Sequence, residues 1–178
     1  KREETKVIAF YLPQFHPIQE NDEWWGKGFT EWTNVAKAKP LYRNHHQPNV
    51  PSDLGFYDLR LAEVREAQAE LAKEAGVSAF CYWHYWFGDG KQLLEKPLQN
   101  VIKTGKPEFP FCLAWANHTW QKKSWNPEVS RLSKENLMIQ TYPNKEDVDN
   151  HFNTMLPAFK DERYFRIQDK LVFVIYDY

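Results

Sequence analysis

Four short apolar runs, spaced so that segments of helical period fit between them, constrain this chain more than any other feature. Residues 7–12 (Val7-Ile8-Ala9-Phe10-Tyr11-Leu12) are β-branched at their start and stopped by Pro13, which suits a buried strand. Residues 77–83, 109–115 and 171–176 repeat the pattern. Between the first two runs, spacing predicts a helix over 59–75, with Asp58 as its cap and Gly76 as its stop. Further helices are predicted over 91–103, interrupted early by Pro97, and over 145–159, with Pro157 near its end. Residues 13–57 read as one long irregular stretch, and loops of that length inside a domain are usually functional. A polar loop is predicted between the third strand and the last helix.

Apolar strands alternating with amphipathic helices imply a parallel sheet with right-handed crossovers. Two architectures satisfy that order, a doubly wound open sheet and part of a barrel. Pro-Gln-Phe-His follows the first strand where a nucleotide-binding fold would carry a Gly-rich phosphate turn. The predicted fold is therefore α/β, a (β/α)8 TIM barrel, of which residues 1–178 form the first four β/α units as one half-barrel domain. A half-barrel would leave two sheet edges open to self-association.

Charge and cysteine usage narrow the function classes. With 23 Lys+Arg against 24 Asp+Glu, the chain lacks the electrostatic signature of a nucleic-acid or anionic-membrane partner. No apolar stretch approaches the roughly 20 residues of a membrane span, and none resembles a signal peptide. The charged lead-in of residues 1–6 reads as a trimmed end, so the compartment stays open between bacterial cytoplasm and periplasm. Cys81 and Cys112 read as core thiols, with no metal or redox spacing. His45-His46 lacks partners at helical or hairpin spacing, so neither a metal nor another cofactor is predicted.

The aromatic residues, 16% of the chain, fall where a barrel places its chemistry. After the first strand come His16, Asp22, Glu23, Trp24, Trp25, Glu31 and Trp32; at the second, Tyr82-Trp83-His84-Tyr85-Trp86. Trp115-Ala116-Asn117-His118-Thr119-Trp120 ends the third, and Tyr176-Asp177-Tyr178 the fourth. Aromatic faces pack on the C–H surfaces of sugars while planar polar groups bind their hydroxyls. The expected partner is thus an oligo- or polysaccharide. Its predicted contacts are His16, Trp25, Trp32, Tyr82, His84, Trp86, Trp115 and Asn117. Glu31 and Asp177 are the candidate catalytic carboxyl groups, although an exposed loop charge or an ion-pair partner would read the same. His84 serves equally as a hydrogen-bonded structural histidine, His151 reads as a solvated helix residue, and Asp22-Glu23 as a polar turn. No convincing carboxylate pair of the kind that flanks a glycosidic bond is present.

Phe10-Tyr11-Leu12-Pro13-Gln14-Phe15-His16-Pro17, Glu20 to Gly26 and Gly28-Phe29-Thr30-Glu31-Trp32-Thr33-Asn34-Val35 resemble the opening of WbsX-type proteins, which carry a domain related to glycoside hydrolase family 99. The likeness continues through Asp53 to Arg60, Phe80 to Trp86, Pro110 to Asn117 and Ile175-Tyr176-Asp177. It implies a (β/α)8 barrel acting on mannan-like or bacterial surface glycans. Family 99 enzymes cleave internally with retention, assisted by the sugar 2-hydroxyl and two carboxyl groups. WbsX-type relatives occur in polysaccharide-synthesis clusters and are often described as glycosyltransferases. Two departures stand out. His118 follows Trp115-Ala116-Asn117 where many relatives carry Glu, and no Trp-Asn-Glu-Trp-type catalytic segment is present. The main catalytic carboxylates are therefore expected C-terminal to this chain. The alternatives are a glycosyltransferase of surface-polysaccharide (O-antigen, lipopolysaccharide) biosynthesis and a non-catalytic carbohydrate-binding protein.

Overall fold

The computed structural model describes residues 5–126 and 131–177. Strand β1 (Ile8–Tyr11) leads into two short helices, α1 (Gln19–Trp25) and α2 (Glu31–Lys37), inside the stretch predicted as irregular. Seven residues each is too short for periodicity to stand out, and α2 is set instead by its cap. Thr30 Oγ1 accepts from Trp32 N–H at 3.3 Å while Thr33 Oγ1 accepts from Thr30 N–H at 3.3 Å. Helix α3 (Ala62–Glu74) starts three residues later than expected. Asp58 does not cap it; its carboxylate instead accepts from the backbone N–H and guanidinium of Arg60, closing a turn before the helix. At the other end Val77 N–H reaches back to the Ala72 carbonyl across Gly76, whose φ of 77° only glycine adopts freely.

Strand β2 (Ala79–Trp86) runs three residues beyond its predicted end, and β3 (Gln92–Leu93) pairs antiparallel with its tip. Helix α4 (Lys96–Thr104) begins next to Pro97 rather than being interrupted by it, because a first-turn proline lacks only an N–H that has no helical partner. After β4 (Phe111–Trp115), the predicted polar loop is a hairpin of β5 (Trp120–Asn126) and β6 (Arg131–Met138). Helix α5 (Lys145–Phe159) follows, capped by Asn144, whose Oδ1 accepts from Asp147 N–H. The last predicted strand, over 171–176, is shorter, β9 (Phe173–Ile175), and a small hairpin of β7 (Arg166–Ile167) with β8 (Lys170–Leu171) precedes it.

β1, β2, β4 and β9 form one parallel sheet in chain order. Among the described strands that order shows no reversal of the kind that marks a doubly wound sheet. Registered partners share a face. Tyr11, Phe80, Tyr82, Phe111 and Leu113 point to the side where Ala69, Ala72, Leu98, Val101, Met155 and Ala158 of α3, α4 and α5 close the core. The opposite face carries Phe10, Cys81, Trp83, Cys112, Ala114 and Val174. Phe10 stacks on Trp83 there at 4.9 Å, and Phe10 and Tyr176 remain exposed. Cys81 and Cys112 are free buried thiols directly opposite each other. Among the described residues, no helix is long and apolar enough to cross a membrane.

Candidate functional site

Parity along β2 decides which aromatic residues can meet a ligand. Even-numbered Tyr82, His84 and Trp86 face the helices, and each is buried in structural contacts. Tyr82 packs between Tyr11 and Phe111. His84 Nε2 lies 2.8 Å from His151 Nε2, and Trp86 Nε1–H donates to Asp147 Oδ2 at 3.0 Å while its ring stacks on His151. The sequence-based assignment of these three as sugar contacts is corrected by that packing, as is the reading of His151 as solvated. Burial pushes His84 down to about 3 and His151 down to about 4, so both imidazoles stay neutral and one donates to the other. Trp115 lies on the helix face as well, donating its Nε1–H to the Trp86 carbonyl at 3.0 Å. Odd-numbered Trp83 and Tyr85 face the open side.

Three further predicted contacts serve the scaffold. His16 is fully buried in the turn after β1, and burial lowers its pKa to about 4, against an opposing Asp58 charge. Its ring nitrogens form no well-directed hydrogen bond among the described residues. Trp32 donates Nε1–H to the Tyr57 carbonyl at 2.8 Å and packs on Phe15, Phe56 and Tyr57. Asn117 clamps the end of β9: Nδ2 donates to the Asp177 carbonyl at 2.6 Å and Oδ1 accepts from Asp177 N–H at 2.8 Å. Asp177 therefore contributes its backbone to this clamp, and its side chain lines neither cavity described next.

Two adjoining cavities lie at the C-terminal ends of β1, β2 and β4. The first, about 210 Å³, lies between α1–α2 and the β5–β6 hairpin and is lined by Gln14, Asn21, Trp25, Phe29, Glu31, Asn34, Leu94, Trp120, Gln121 and Leu137. The second, about 250 Å³, spreads over the open sheet face against Leu12, Gln14, Trp83, Tyr85, Ala116, His118, Trp120 and Tyr176. Gln14 and Trp120 line both, so the two cavities adjoin, and together they make up the groove at these strand ends. Trp120 is wedged edge-on against Trp24, Tyr85 and Phe87, which fixes the hairpin to the sheet. Lys122 Nζ sits 5.0 Å above the Trp25 ring.

Of the predicted residues, this groove gathers Trp25 and Glu31. Burial pushes the Glu31 carboxyl up, opposed by a hydrogen bond from Asn34. Glu31 is the sole carboxyl group lining the groove among the described residues. Sequence reasoning placed Trp83, Tyr85 and Trp120 at the strand ends without choosing them as contacts, and it missed Gln14 and Asn34. The signal for Trp83 and Tyr85 was available: period-two alternation assigns opposite faces to 82–84–86 and 83–85, and the residues facing helices cannot also face a ligand. A set of carboxamides, aromatic faces and one carboxyl group of raised pKa can hydrogen-bond hydroxyls, stack on apolar faces and hold a proton.

Comparison with known proteins gives the same direction. The chain is 42% identical over 170 residues to the uncharacterized protein WxcX of two strains of Xanthomonas campestris pv. campestris, matching 96% of this chain. It spans about a quarter of the length of these curated relatives (24%). In structure it resembles a GH99 endo-alpha-mannosidase of Bacteroides thetaiotaomicron, with a TM-score of 0.50 and 18% identity over 96% of this chain and 42% of that one. Identity that low shows a shared α/β fold and nothing of the reaction. The sequence profile described as Glycosyltransferase WbsX matches residues 7–178, and the chain belongs to that family.

Proposed function

We propose that residues 1–178 form the glycan-binding N-terminal half of a (β/α)8 barrel, whose parent protein is a retaining, endo-acting glycoside hydrolase of mannan-like or bacterial surface glycans. One observation carries the reading: the two adjoining cavities at the C-terminal strand ends combine Trp25, Trp120 and Trp83 with Gln14, Asn34 and Glu31. Active sites of barrels occupy that end, and aromatic faces beside carboxamides suit sugars. Helices on a single sheet face and strands in sequential order support a barrel segment. The shared fold with an endo-alpha-mannosidase supports the substrate class.

In this reading Glu31 holds a proton or orients a sugar hydroxyl, Trp25 and Trp120 stack on the glycan, and the main catalytic carboxylates come from chain beyond Tyr178. Retention assisted by the sugar 2-hydroxyl still uses two carboxyl groups, and the groove supplies one. The family description favours a second reading, transfer of a sugar onto a surface polysaccharide. Glycan release by the full-length parent on a panel of α-mannans and bacterial surface polysaccharides, beside the 178-residue chain, separates them. Release by the parent and binding alone by this chain supports the hydrolase. Turnover only with a nucleotide-sugar donor would establish the transferase. Failure of both proteins to bind any glycan would overturn the carbohydrate assignment.

A further inference from the structure

Gln14 and Tyr85, which both line the groove, are hydrogen-bonded to each other, as Asn34 and Glu31 are on its other side. Gln14 lies just past β1, in the turn opened by Pro13, and its Nε2–H donates to Tyr85 Oη at 2.9 Å. Tyr85 is buried on the open-face side of β2, its ring edge-on to Trp120 at 5.0 Å. Burial pushes its phenol up to about 12, so it remains a neutral hydroxyl at ordinary pH. That bond uses one of the three hydrogen-bonding directions Gln14 offers besides its second lone pair. The carboxamide oxygen and the second N–H stay available, and Gln14 is the polar side chain common to both cavities.

Size gives the second argument. Each cavity alone falls below the ~300 Å³ at which small-molecule sites begin, so a ligand of ordinary size has to occupy both and pass Gln14 and Trp120, which line both. A ligand that fills the groove must cross that junction. A sugar hydroxyl both donates and accepts, which matches the free N–H and oxygen of one carboxamide.

We propose that Gln14 is the substrate-contacting, specificity-determining residue at the midpoint of the groove, reading a glycan of at least two sugar units that crosses it, and that Tyr85 is its positioning residue. The proposal rests on the carbohydrate reading above. Tyr85 acts by holding the Gln14 carboxamide in one rotamer, so that the unbound groove already presents its donor and acceptor.

The test is a double-mutant cycle read by calorimetry, with mono-, di- and tetrasaccharides prepared from α-mannan and from bacterial surface polysaccharide. The wild-type protein is expected to bind disaccharides at least about tenfold more tightly than monosaccharides. Gln14→Ala should remove that gain, Tyr85→Phe should weaken disaccharide binding about threefold, and the double variant should bind no worse than Gln14→Ala alone. Gln14→Met keeps the volume and provides the same reading should the alanine variant fold poorly, and melting temperatures identify such failure. Disaccharide affinity within twofold of wild type in Gln14→Met, or effects of the two sites that simply add, would overturn the proposal while leaving the carbohydrate reading intact. Absence of wild-type binding to every sugar would remove the carbohydrate reading itself.

Discussion

Two residues that a sequence offers as sugar contacts are better understood through what they hold together. Asn117 satisfies both backbone groups of Asp177 and also donates to Tyr142 Oη, so it ties the end of β9 to β4 and to the segment before α5. Asn117→Ala leaves those partly buried groups unpaired, and urea unfolding should show a loss of about 2 kcal/mol. A residue reserved for substrate would show almost none. The His84–His151 pair makes a pH prediction whose sign follows from burial. Both rings are held below the ordinary histidine value, near 3 and 4 respectively, so the unfolded chain binds more protons than the folded one between those values and about 6.5. Stability is therefore complete above about pH 6.5 and declines as the pH falls towards 4, with buried His16 acting in the same sense. Melting temperatures measured from pH 7 to pH 5 should fall, and a His84→Leu/His151→Phe variant should flatten that slope. A slope unchanged in the double variant would place the titration elsewhere.

Among the elements, the strands and long helices were legible because apolar runs and helical spacing reflect burial directly. β1, α3, α5 and β4 lie within a few residues of their sequence-based bounds. What escaped notice was local in origin. α1 and α2 are too short for periodicity, and α2 rests on the Thr30–Thr33 capping box. The β5–β6 hairpin is polar along most of its length, so its strands lack an apolar alternation, and among the described side chains Trp120, Met138 and Lys122 attach it. Trp120 makes the aromatic part of that attachment by packing on Trp24, Tyr85 and Phe87. Trp120→Ala should cost ~2–3 kcal/mol, below the range for a fully buried tryptophan because Trp120 is only half-buried, and hydrogen exchange should rise along 120–138. The site was partly legible for a different reason. Composition placed aromatic residues near strand ends, but only strand parity says which side they serve. Tyr82, His84 and Trp86 went to the helix layer, and Trp83 and Tyr85 to the groove.

For the whole molecule, one sheet face is closed by α3, α4 and α5, and the other keeps Phe10, Trp83 and Tyr176 at the rim of the groove. This asymmetry agrees with the proposed barrel segment, in which helices cover the outside and ligands approach over the strand ends. The groove is built from parts far apart in sequence: the turn after β1, the helix pair α1–α2, the end of β2 and the base of the hairpin. The central claim is that this groove holds a glycan. A crystal structure of the protein with an oligosaccharide bound tests it most directly. The account predicts a sugar chain lying across Gln14 and Trp120, with Trp25 and Glu31 in contact on one side and Trp83 on the other. A sugar seated instead in the apolar groove between α5 and β9, or density absent from the strand ends at saturating ligand, would contradict it.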